Sequence, residues 1–243
     1  MRFTNKVCVI TGGASGIGRA TALQMAREGG LIALVDLNRD AACATIEAIE
    51  KEGGHALWLR TDVGSAEQVR AAMAQVELVW GTVDVLVNNA ATMTFDPVTE
   101  LEVEDWDRVL NVNLRAAFLF SKYAVPMMEG GAIVNVSSVH AHATTANVAA
   151  YAASKAGLEA FTRALSLEHP AEKVRVNAVA PGSVDTPMLW SNPNLASGAE
   201  TLSGPVAKPE EIASAICFLA SKDASFINGT TLHVDAGKLS GLC

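Results

Sequence analysis

The sequence is poor in the features that mark membrane, nucleic-acid-binding and disulfide-rich proteins. No apolar run approaches the ~18 residues that a membrane-spanning helix needs. The 18 Lys and Arg are outnumbered by 26 Asp and Glu, and the resulting net charge of −8 repels nucleic-acid phosphates and anionic membranes. The four cysteines are scattered without a CxxC pair, which is typical of reduced thiols. We therefore expect a cytoplasmic protein with no signal peptide, no membrane contact and no nucleic-acid partner.

Short apolar runs alternate with longer helical patterns throughout the 243 residues. The runs are continuously apolar rather than alternating, which indicates a parallel sheet covered on both faces. Neither a linker nor a repeat of fixed period divides the chain. The sequence predicts one α/β domain over residues 1–243, a Rossmann-type doubly wound sheet of about seven strands with helices on both faces. The predicted strands are 6–10, 31–36, 56–62, 83–90, 132–138, 174–182 and 231–237, and the predicted helices are 17–28, 39–52, 65–79, 103–128, 151–168 and 208–221.

A glycine-rich turn, TGGASGIG, joins the first predicted strand to the first helix. Gly12, Gly16 and Gly18 allow a tight turn and a close approach to a ligand. The free N–H groups and the dipole of the helix N-terminus suit a pyrophosphate. The turn predicts a dinucleotide site, with a tight turn that binds nothing as the alternative.

Asp36 ends the second predicted strand and selects between the two nicotinamide cofactors. Its carboxylate can accept hydrogen bonds from both ribose hydroxyls of an adenosine, and it would repel a 2′-phosphate. Neither the turn nor Leu37 supplies a cation for that phosphate, and Arg39 is expected to face solvent from the next helix. The sequence therefore predicts NAD rather than NADP.

Two further strand ends carry residues suited to a flat ligand. Asp62 and Val63 end the third predicted strand where an adenine edge would lie. The alternative role of Asp62 is to cap the helix that begins near Ser65. The small residues of Asn88-Asn89-Ala90-Ala91 end the fourth strand and let the backbone pass close to the ligand.

Tyr151 and Lys155 stand four residues apart in YAASK, on one face of a predicted helix. Taken alone, such a pair arises often by chance. An ammonium group within ~4–6 Å favours a phenolate, and the pKa of free tyrosine lies near 10. A phenolate can take the hydroxyl proton of an alcohol while a nicotinamide accepts the hydride.

Seven segments in order resemble the short-chain dehydrogenase/reductase family along the whole chain: TGGASGIG, Asp62-Val63, NNAA, NVNL, NVSS, YAASK and APGSVDTP. The resemblance implies that Tyr151 is the general acid/base and that Lys155 lowers its pKa and holds the nicotinamide ribose. It implies that Ser138 binds the substrate oxygen and that Asn113 kinks the long helix and anchors a water near Lys155. The chain departs from the family at Ala91, where glycine is usual, and in SGPVAKPEEI before the last helix.

The resemblance and the strand ends together predict the cofactor site. Its residues are Gly12, Ser15, Gly16, Ile17, Gly18, Asp36, Leu37, Asp62, Val63, Asn89, Ala90, Tyr151, Lys155, Pro181, Gly182, Val184 and Thr186, the last four forming a strap over the nicotinamide. The resemblance also implies a homotetramer built on the two long helices and on the last helix and strand. Phe118, Phe120, Leu158 and Phe161 would support it, unless they belong to the core of one subunit.

The segment VHAHATTANVAA, between Ser138 and Tyr151, is expected to pass over the substrate. It is polar, and the lid over about 187–207 is short, which favours a compact hydroxylated substrate such as a sugar, sugar acid or polyol. The predicted substrate contacts are Ser138, His140, His142, Asn147, Tyr151, Ser183 and Trp190. The two histidines raise the option of a metal, but no carboxylate stands near them in sequence, so no metal is expected.

These features predict an NAD-dependent dehydrogenase of carbohydrate metabolism. It would interconvert a secondary alcohol and a ketone or lactone on a small polar substrate. One alternative is a reductase of 3-oxoacyl thioesters carried on acyl carrier protein. An alternative of another class is a regulatory protein that binds NAD without chemistry, although such relatives usually lose the Tyr or the Lys.

Overall fold

Seven parallel strands form one sheet in the computed structural model, which describes residues 1–198, 201–202 and 204–241. The strands are β1 Val7–Thr11, β2 Leu31–Asp36, β3 His55–Arg60, β4 Val85–Asn88, β5 Gly131–Val136, β6 Val174–Pro181 and β7 Thr231–Val234. Their order is β3-β2-β1-β4-β5-β6-β7, so the chain reverses its direction of travel between β1 and β4. The predicted doubly wound α/β fold is confirmed.

Helices cover both faces of the sheet and bury two apolar layers. The helices are α1 Gly16–Arg27, α2 Arg39–Lys51, α3 Ala66–Trp80, α4 Val103–Leu110, α5 Ala116–Ala124, α6 Ala149–Glu168, α7 Pro187–Trp190, α8 Pro193–Ala196 and α9 Pro209–Ala220. One layer joins the sheet to α1, α2 and α9, and the other joins it to α3, α5 and α6. The central strands are buried on both faces, which explains why their sequences do not alternate.

The single long helix predicted over 103–128 is interrupted. One turn of π-helix, Asn111–Arg115, separates α4 from α5, and a 3-10 turn at Val125–Met127 follows. The Asn113 side chain accepts a hydrogen bond from Thr92 N at 2.8 Å and donates one to Thr92 O at 2.9 Å. We attribute the widened turn to these bonds, and Pro126, which lacks an N–H donor, to the end of the regular helix.

Five strands end earlier than predicted: β3, β4 and β5 by two residues, β6 by one and β7 by three. β4 stops at Asn88, and β7 stops at Val234 instead of residue 237. After β7 the Asp235 carboxylate accepts hydrogen bonds from Gly237 N and Leu239 N, both at 2.9 Å. These bonds hold a turn where the pattern predicted a continued strand. The aperiodic segment after β6 contains the two four-residue helices α7 and α8.

The described thiols carry no disulfide: Cys8 and Cys217 are buried, and Cys43 is exposed. Cys243 lies outside the described residues. Over the part of the chain that the structure describes, no helix is both long and apolar enough to cross a bilayer.

Candidate active site

A cleft of about 850 Å³ lies beyond the carboxyl ends of the strands. It runs along the sheet edge from Asp62, which follows β3, to Lys238, which follows β7. The switch point of the sheet, where β1 and β4 are neighbours, lies beneath the middle of the cleft. Open α/β sheets bind their ligands in such a crevice.

The glycine-rich turn forms one wall of this cleft. Gly12 and Gly16 have φ angles of +62° and +49°, which favour glycine, and a Cβ on Gly12 would lie 2.9 Å from Ala90 Cα. α1 begins at Gly16, and the side chain of its N-cap residue Ser15 makes no capping hydrogen bond. Because Ser15, Gly16 and Ile17 line the cleft, the first N–H groups of α1 suit a phosphate there.

Gly18 is the one residue of the predicted cofactor list that stands outside the cleft lining. A Cβ at this position would lie 2.1 Å from Gly12 O and 2.5 Å from Asn89 Nδ2. The glycine is therefore required where α1 packs on the turn, which replaces the predicted ligand contact with a packing role.

Backbone donors hold the Asp36 carboxylate at the cleft. Its Oδ2 accepts from Ala14 N at 3.0 Å and its Oδ1 from Asn38 N at 2.9 Å. Leu37 also lines the cleft, whereas Arg39 is exposed at the start of α2 and does not. A ribose with free hydroxyls fits a fixed carboxylate with no neighbouring cation.

Asp62, Val63, Asn89 and Ala90 line the same region. Ser65, rather than Asp62, caps α3 by accepting a hydrogen bond from Gln68 N at 3.4 Å. Asp62 Oδ1 accepts from Gly64 N at 2.9 Å, so it shapes the turn ahead of the helix. The cap that the sequence offered as the alternative role of Asp62 is thus supplied by another residue.

A strap of residues closes over the glycine-rich turn. The four residues predicted to form one side of the cofactor site all line the cleft: Pro181, Gly182, Val184 and Thr186. A Cβ on Gly16 would lie 3.0 Å from Thr186 Cγ2, so the strap and the turn are in close contact. With the free helix N-terminus and Asp36, this arrangement fits a dinucleotide cofactor.

Ser138, Tyr151 and Lys155 meet in the middle of the cleft and are 6%, 8% and 2% exposed. Tyr151 lies in the first turn of α6, which begins two residues earlier than predicted. Lys155 Nζ donates to Val136 O at 2.7 Å and lies 5.5 Å from the centroid of the Tyr151 ring. The end of β5 thus fixes the ammonium beside the phenol.

Burial changes the pKa of both groups. It raises the pKa of Tyr151, an effect that a hydrogen bond with Ser138 partly offsets. It lowers the pKa of Lys155 to about 7, because the ammonium is removed from water. Within the protein alone, burial therefore raises the pKa of Tyr151, whereas the sequence predicted that Lys155 would lower it.

Asn113 is joined to the Tyr–Lys helix through a side-chain contact. Its Nδ2 donates to Ser154 Oγ at 3.0 Å, and Ser154 Oγ donates to Tyr151 O at 2.7 Å. Asn113 is buried and does not line the cleft. Asn113 thus contacts Ser154, which is bonded to the carbonyl of Tyr151 and immediately precedes Lys155 in the chain.

The two histidines of the predicted substrate wall face opposite ways. His140 lines the cleft, with its ring edge-to-face with Tyr151 at 5.7 Å between centroids. His142 points away, and its Nε2 lies 2.9 Å from Glu159 Oε2. The predicted substrate contact of His142 is therefore replaced by a contact within the protein.

Glu159 is a site residue that the sequence reasoning missed. It is 3% exposed, and its Oε1 accepts from Ser137 Oγ at 2.8 Å. It thus links the end of β5 to His142 on the substrate wall, and the His142 ring also contacts His233 of β7 at 4.9 Å between centroids. Its position four residues after Lys155, on the same helix face, was the available signal.

Two other predicted substrate contacts, Asn147 and Trp190, also stand outside the cleft lining, whereas Ser183 belongs to it. Asn147 adopts a left-handed conformation with φ +67° ahead of α6. Trp190 is 58% exposed, and its Nε1 donates to Asp185 Oδ1 at 2.6 Å. The indole therefore contacts Asp185, just ahead of its own helix, and does not face the cleft.

The lining of the cleft is more apolar than the sequence predicted. Thr144 and Thr145 contribute polar side chains to it. Large apolar residues that carry no motif also belong to the lining, and we call this set the apolar wall: Met93, Phe95, Met188, Leu189 and Leu202. Among the described residues, no group of three or more His, Cys, Asp or Glu side chains could hold a metal ion.

Comparison with known proteins adds a family and two kinds of relatives. Residues 12–238 match the family model described as enoyl-(acyl carrier protein) reductase. The chain is 41% identical over 242 residues to a cis-4-hydroxycyclohexanecarboxylate dehydrogenase from Sinomonas cyclohexanicum, covering 97% of each chain. It is 37% identical over 243 residues to a 3-oxoacyl-(acyl-carrier-protein) reductase from Thermotoga maritima, covering 98% of this chain and 99% of the relative. The crystal structure of levodione reductase superposes with a TM-score of 0.92 at 32% identity, covering 99% of this chain and 100% of that chain.

Proposed function

Because the chain belongs to the short-chain dehydrogenase/reductase family, we propose that it is an NAD-dependent dehydrogenase that oxidises a secondary alcohol on a carbon ring to the ketone. Its relatives support the broader class, an oxidoreductase acting on CH–OH groups. One observation carries the proposal: buried Ser138, Tyr151 and Lys155 meet in a cleft that continues to the Asp36 carboxylate.

The chain's own residues handle the proton of the alcohol. The Ser138 hydroxyl binds the substrate oxygen, and the Tyr151 phenolate accepts its proton as the C–O bond becomes a carbonyl. Lys155 stays on Val136 O, and in its protonated form its charge favours the phenolate that the reaction needs. Bound NAD supplies the acceptor for the hydride that leaves the same carbon. In the direction of ketone reduction, Tyr151 returns the proton.

NAD is proposed over NADP because of the charge at the end of β2. Asp36 is held by two backbone N–H groups and cannot turn away from an incoming 2′-phosphate. The described residues that line this part of the cleft include no Lys or Arg, and Arg39 is exposed outside it. A phosphorylated cofactor would bring its charge against a fixed carboxylate.

A ring alcohol is proposed over a sugar because of the apolar wall. Met93, Phe95 and Leu202 offer apolar contacts that a polyol cannot use without losing hydration. One oxygen at Ser138 and Tyr151, with an apolar ring against these side chains, satisfies both parts of the pocket. The relative from Sinomonas acts, by its name, on a hydroxylated cyclohexane.

A reductase of 3-oxoacyl thioesters is the second candidate. It is favoured by the relative from Thermotoga maritima and by the same apolar side chains, which an acyl chain could also contact. The fixed carboxylate of Asp36 argues against it to the extent that such reductions draw on NADPH. A non-catalytic NAD-binding protein is disfavoured because Ser138, Tyr151 and Lys155 are all in place.

We also propose that the protein is a homotetramer. Phe120 and Leu158 are fully buried within the subunit, so they are no argument for an interface. Phe118 on α5 and Leu167 on α6 are 47% and 86% exposed. Phe226, between α9 and β7, is fully exposed and would be covered by a second copy. A monomer by light scattering would contradict this assembly.

The function is tested by NADH absorbance with purified protein and a panel of alcohols. The panel contains ring alcohols, sugars, polyols and 3-hydroxyacyl thioesters, each assayed with NAD and with NADP. We expect the highest kcat/KM with a ring alcohol and NAD. Turnover restricted to thioesters, or to the phosphorylated cofactor, would contradict the proposal and favour the second candidate.

A further inference from the structure

Lys238 differs from the other cations that line the cleft. Lys155 is buried and bonded to Val136 O, and Arg108 makes two hydrogen bonds to Asp105 Oδ1, at 2.6 and 3.2 Å, and one to Thr92 Oγ1. Within the described ranges, the Lys238 side chain has no hydrogen-bond or ion-pair partner. Lys238 is exposed, and of the three cleft cations it is the one without such a partner among the described residues.

The turn that carries Lys238 is closely specified. Lys238 N donates to Asp235 O at 3.1 Å, and both Asp235 carboxylate oxygens accept from the backbone, at Gly237 and Leu239. Asp235 is thus used to build the turn instead of neutralising the lysine. Ala236 has a φ of +53°, a conformation that costs a non-glycine residue energy and that clusters at functional sites.

The location of Lys238 separates it from the adenosine end of the cleft. It follows β7, at the opposite edge of the sheet from β2 and β3, which carry Asp36 and Asp62. Pro181 of β6 pairs with Val234 of β7, so the turn lies beside the strap and the reacting group rather than beside the adenosine. Lys238 is therefore placed to meet a negative charge near the reacting group instead of one on the adenosine.

We propose that the substrate of this dehydrogenase is a hydroxy acid, whose ring lies on the apolar wall and whose carboxylate pairs with Lys238 at the β7 edge of the cleft. This inference rests on the proposed function and names the substrate class within it. Lys238 is exposed where it lines the cleft, so water and salt screen its attraction to a carboxylate, and the pairing fixes which ring carbon faces Tyr151. The lysine therefore selects charged over neutral ring alcohols.

The test compares one acid with its neutral derivative. Wild-type protein is assayed with NAD on cis-4-hydroxycyclohexanecarboxylate and on the methyl ester of the same acid. We expect kcat/KM to be about three- to fivefold higher for the acid, and we expect this acid-to-ester ratio to fall as ionic strength rises. Lys238→Met should remove most of this preference, and Lys238→Arg should retain most of it.

Two further variants locate the effect. Lys222→Met removes an exposed lysine outside the cleft and should leave the ratio unchanged. A ratio that collapses in Arg108→Met but not in Lys238→Met would overturn the proposal. So would a Lys238→Met effect confined to thioesters of phosphopantetheine, which would assign the lysine to a phosphate.

The outcomes also separate this inference from the function on which it rests. If both compounds are oxidised and Lys238→Met leaves the ratio unchanged, the carboxylate pairing is wrong and the ring-alcohol dehydrogenase stands. If wild-type protein oxidises neither compound but reduces 3-oxoacyl thioesters, both are wrong.

Discussion

The two ends of the cleft are built in different ways. At the dinucleotide end, which comprises the Gly12–Gly18 turn, Asp36 and Asp62, the lining follows directly from β1, β2 and β3, and backbone N–H groups fix the acidic side chains. At the substrate end, which comprises Ser138–Thr145, Tyr151, Lys155 and the lid, loops and short helices supply most of the lining. Backbone groups hold charged side chains at both ends, but at the substrate end contacts between side chains, such as His142 with Glu159, hold the wall of loops as well.

Because of this difference, the two ends of the cleft tolerate different amounts of change in their side chains. A strand end with backbone hydrogen bonds tolerates few side chains, and it suits a cofactor shared by many proteins. A wall of loops can change its side chains without disturbing the sheet, and it suits a substrate that differs from one relative to the next. The charged side chains at the two ends also differ in how firmly they are held. Asp36 accepts hydrogen bonds from two backbone N–H groups, whereas buried Lys155 donates to a single carbonyl.

The largest effect is expected from removing the phenol hydroxyl at the substrate end. Tyr151→Phe should lower kcat by about 10²–10⁴-fold, the usual contribution of a general acid/base, while NAD affinity stays near that of the wild type. In the wild type, the oxidation rate should rise with pH, because burial raises the pKa of Tyr151 and the reaction needs its phenolate. Steady-state kinetics with fluorescence titration of NAD measures both quantities.

The other tyrosine of the chain provides the matched control for this variant. Tyr123 lies on α5 outside the cleft, and Tyr123→Phe should keep wild-type turnover. If Tyr151→Phe retained a tenth of the wild-type rate, Tyr151 would not be the proton acceptor. A large loss of NAD affinity in this variant would instead break the division between the two ends.

The next effect concerns the cost of burying Lys155. Its pKa is about 7 in the folded protein against 10.5 for an exposed lysine, so between these values the unfolded chain binds a proton that the folded protein does not. Stability therefore rises with pH in this window, and the part due to Lys155 is on the order of 2–3 kcal/mol between pH 7 and 9. Urea unfolding at both pH values measures it.

Lys155→Met should lose this dependence while remaining folded, because methionine fills a similar volume. Lys122→Met, which removes an exposed lysine of α5, should keep the wild-type dependence. Equal slopes for wild type and Lys155→Met would mean that the lysine is charged in the folded protein over the whole range.

The smallest effect is expected from the contact that holds the substrate wall. Glu159→Gln keeps the shape of the side chain but removes the charge that faces His142, so the segment bearing His140 should be held less firmly. We expect KM for the alcohol to rise about three- to tenfold, as for the loss of ~1 kcal/mol, with little change in kcat or NAD affinity. Glu168→Gln, an exposed change on the same helix, is the control.

His142→Asn should have a similar effect, and the double variant should be no worse than either single one. Fully additive effects would show that Glu159 and His142 act separately. A drop in kcat alone would place Glu159 in the proton transfer instead of in the support of the wall.

The dinucleotide end was largely predictable from the sequence, for reasons that lie in its construction. Strand ends, the glycine-rich turn and Asp36 are local features, and all but Gly18 of the predicted cofactor residues line the cleft. Gly18 could not be told from its neighbours, because a packing glycine and a binding glycine have the same sequence signal.

The substrate end resisted prediction because its contacts join distant segments. The direction of His142 depends on Glu159 of α6, and the apolar wall draws Met93 and Leu202 from loops without periodicity. The interrupted helix likewise depends on the bond between Asn113 and Thr92, which are separated by 21 residues. No local pattern encodes such pairs.

Calorimetric titration of NAD and NADP into the protein tests the assignment of the dinucleotide end without any knowledge of the substrate. We expect NAD to bind at least tenfold more tightly than NADP, and we expect Asp36→Ala to remove most of this difference. Asp107→Ala, an exposed change on α4, should preserve it. Equal or tighter binding of NADP by the wild type, or binding of neither cofactor, would contradict the NAD site.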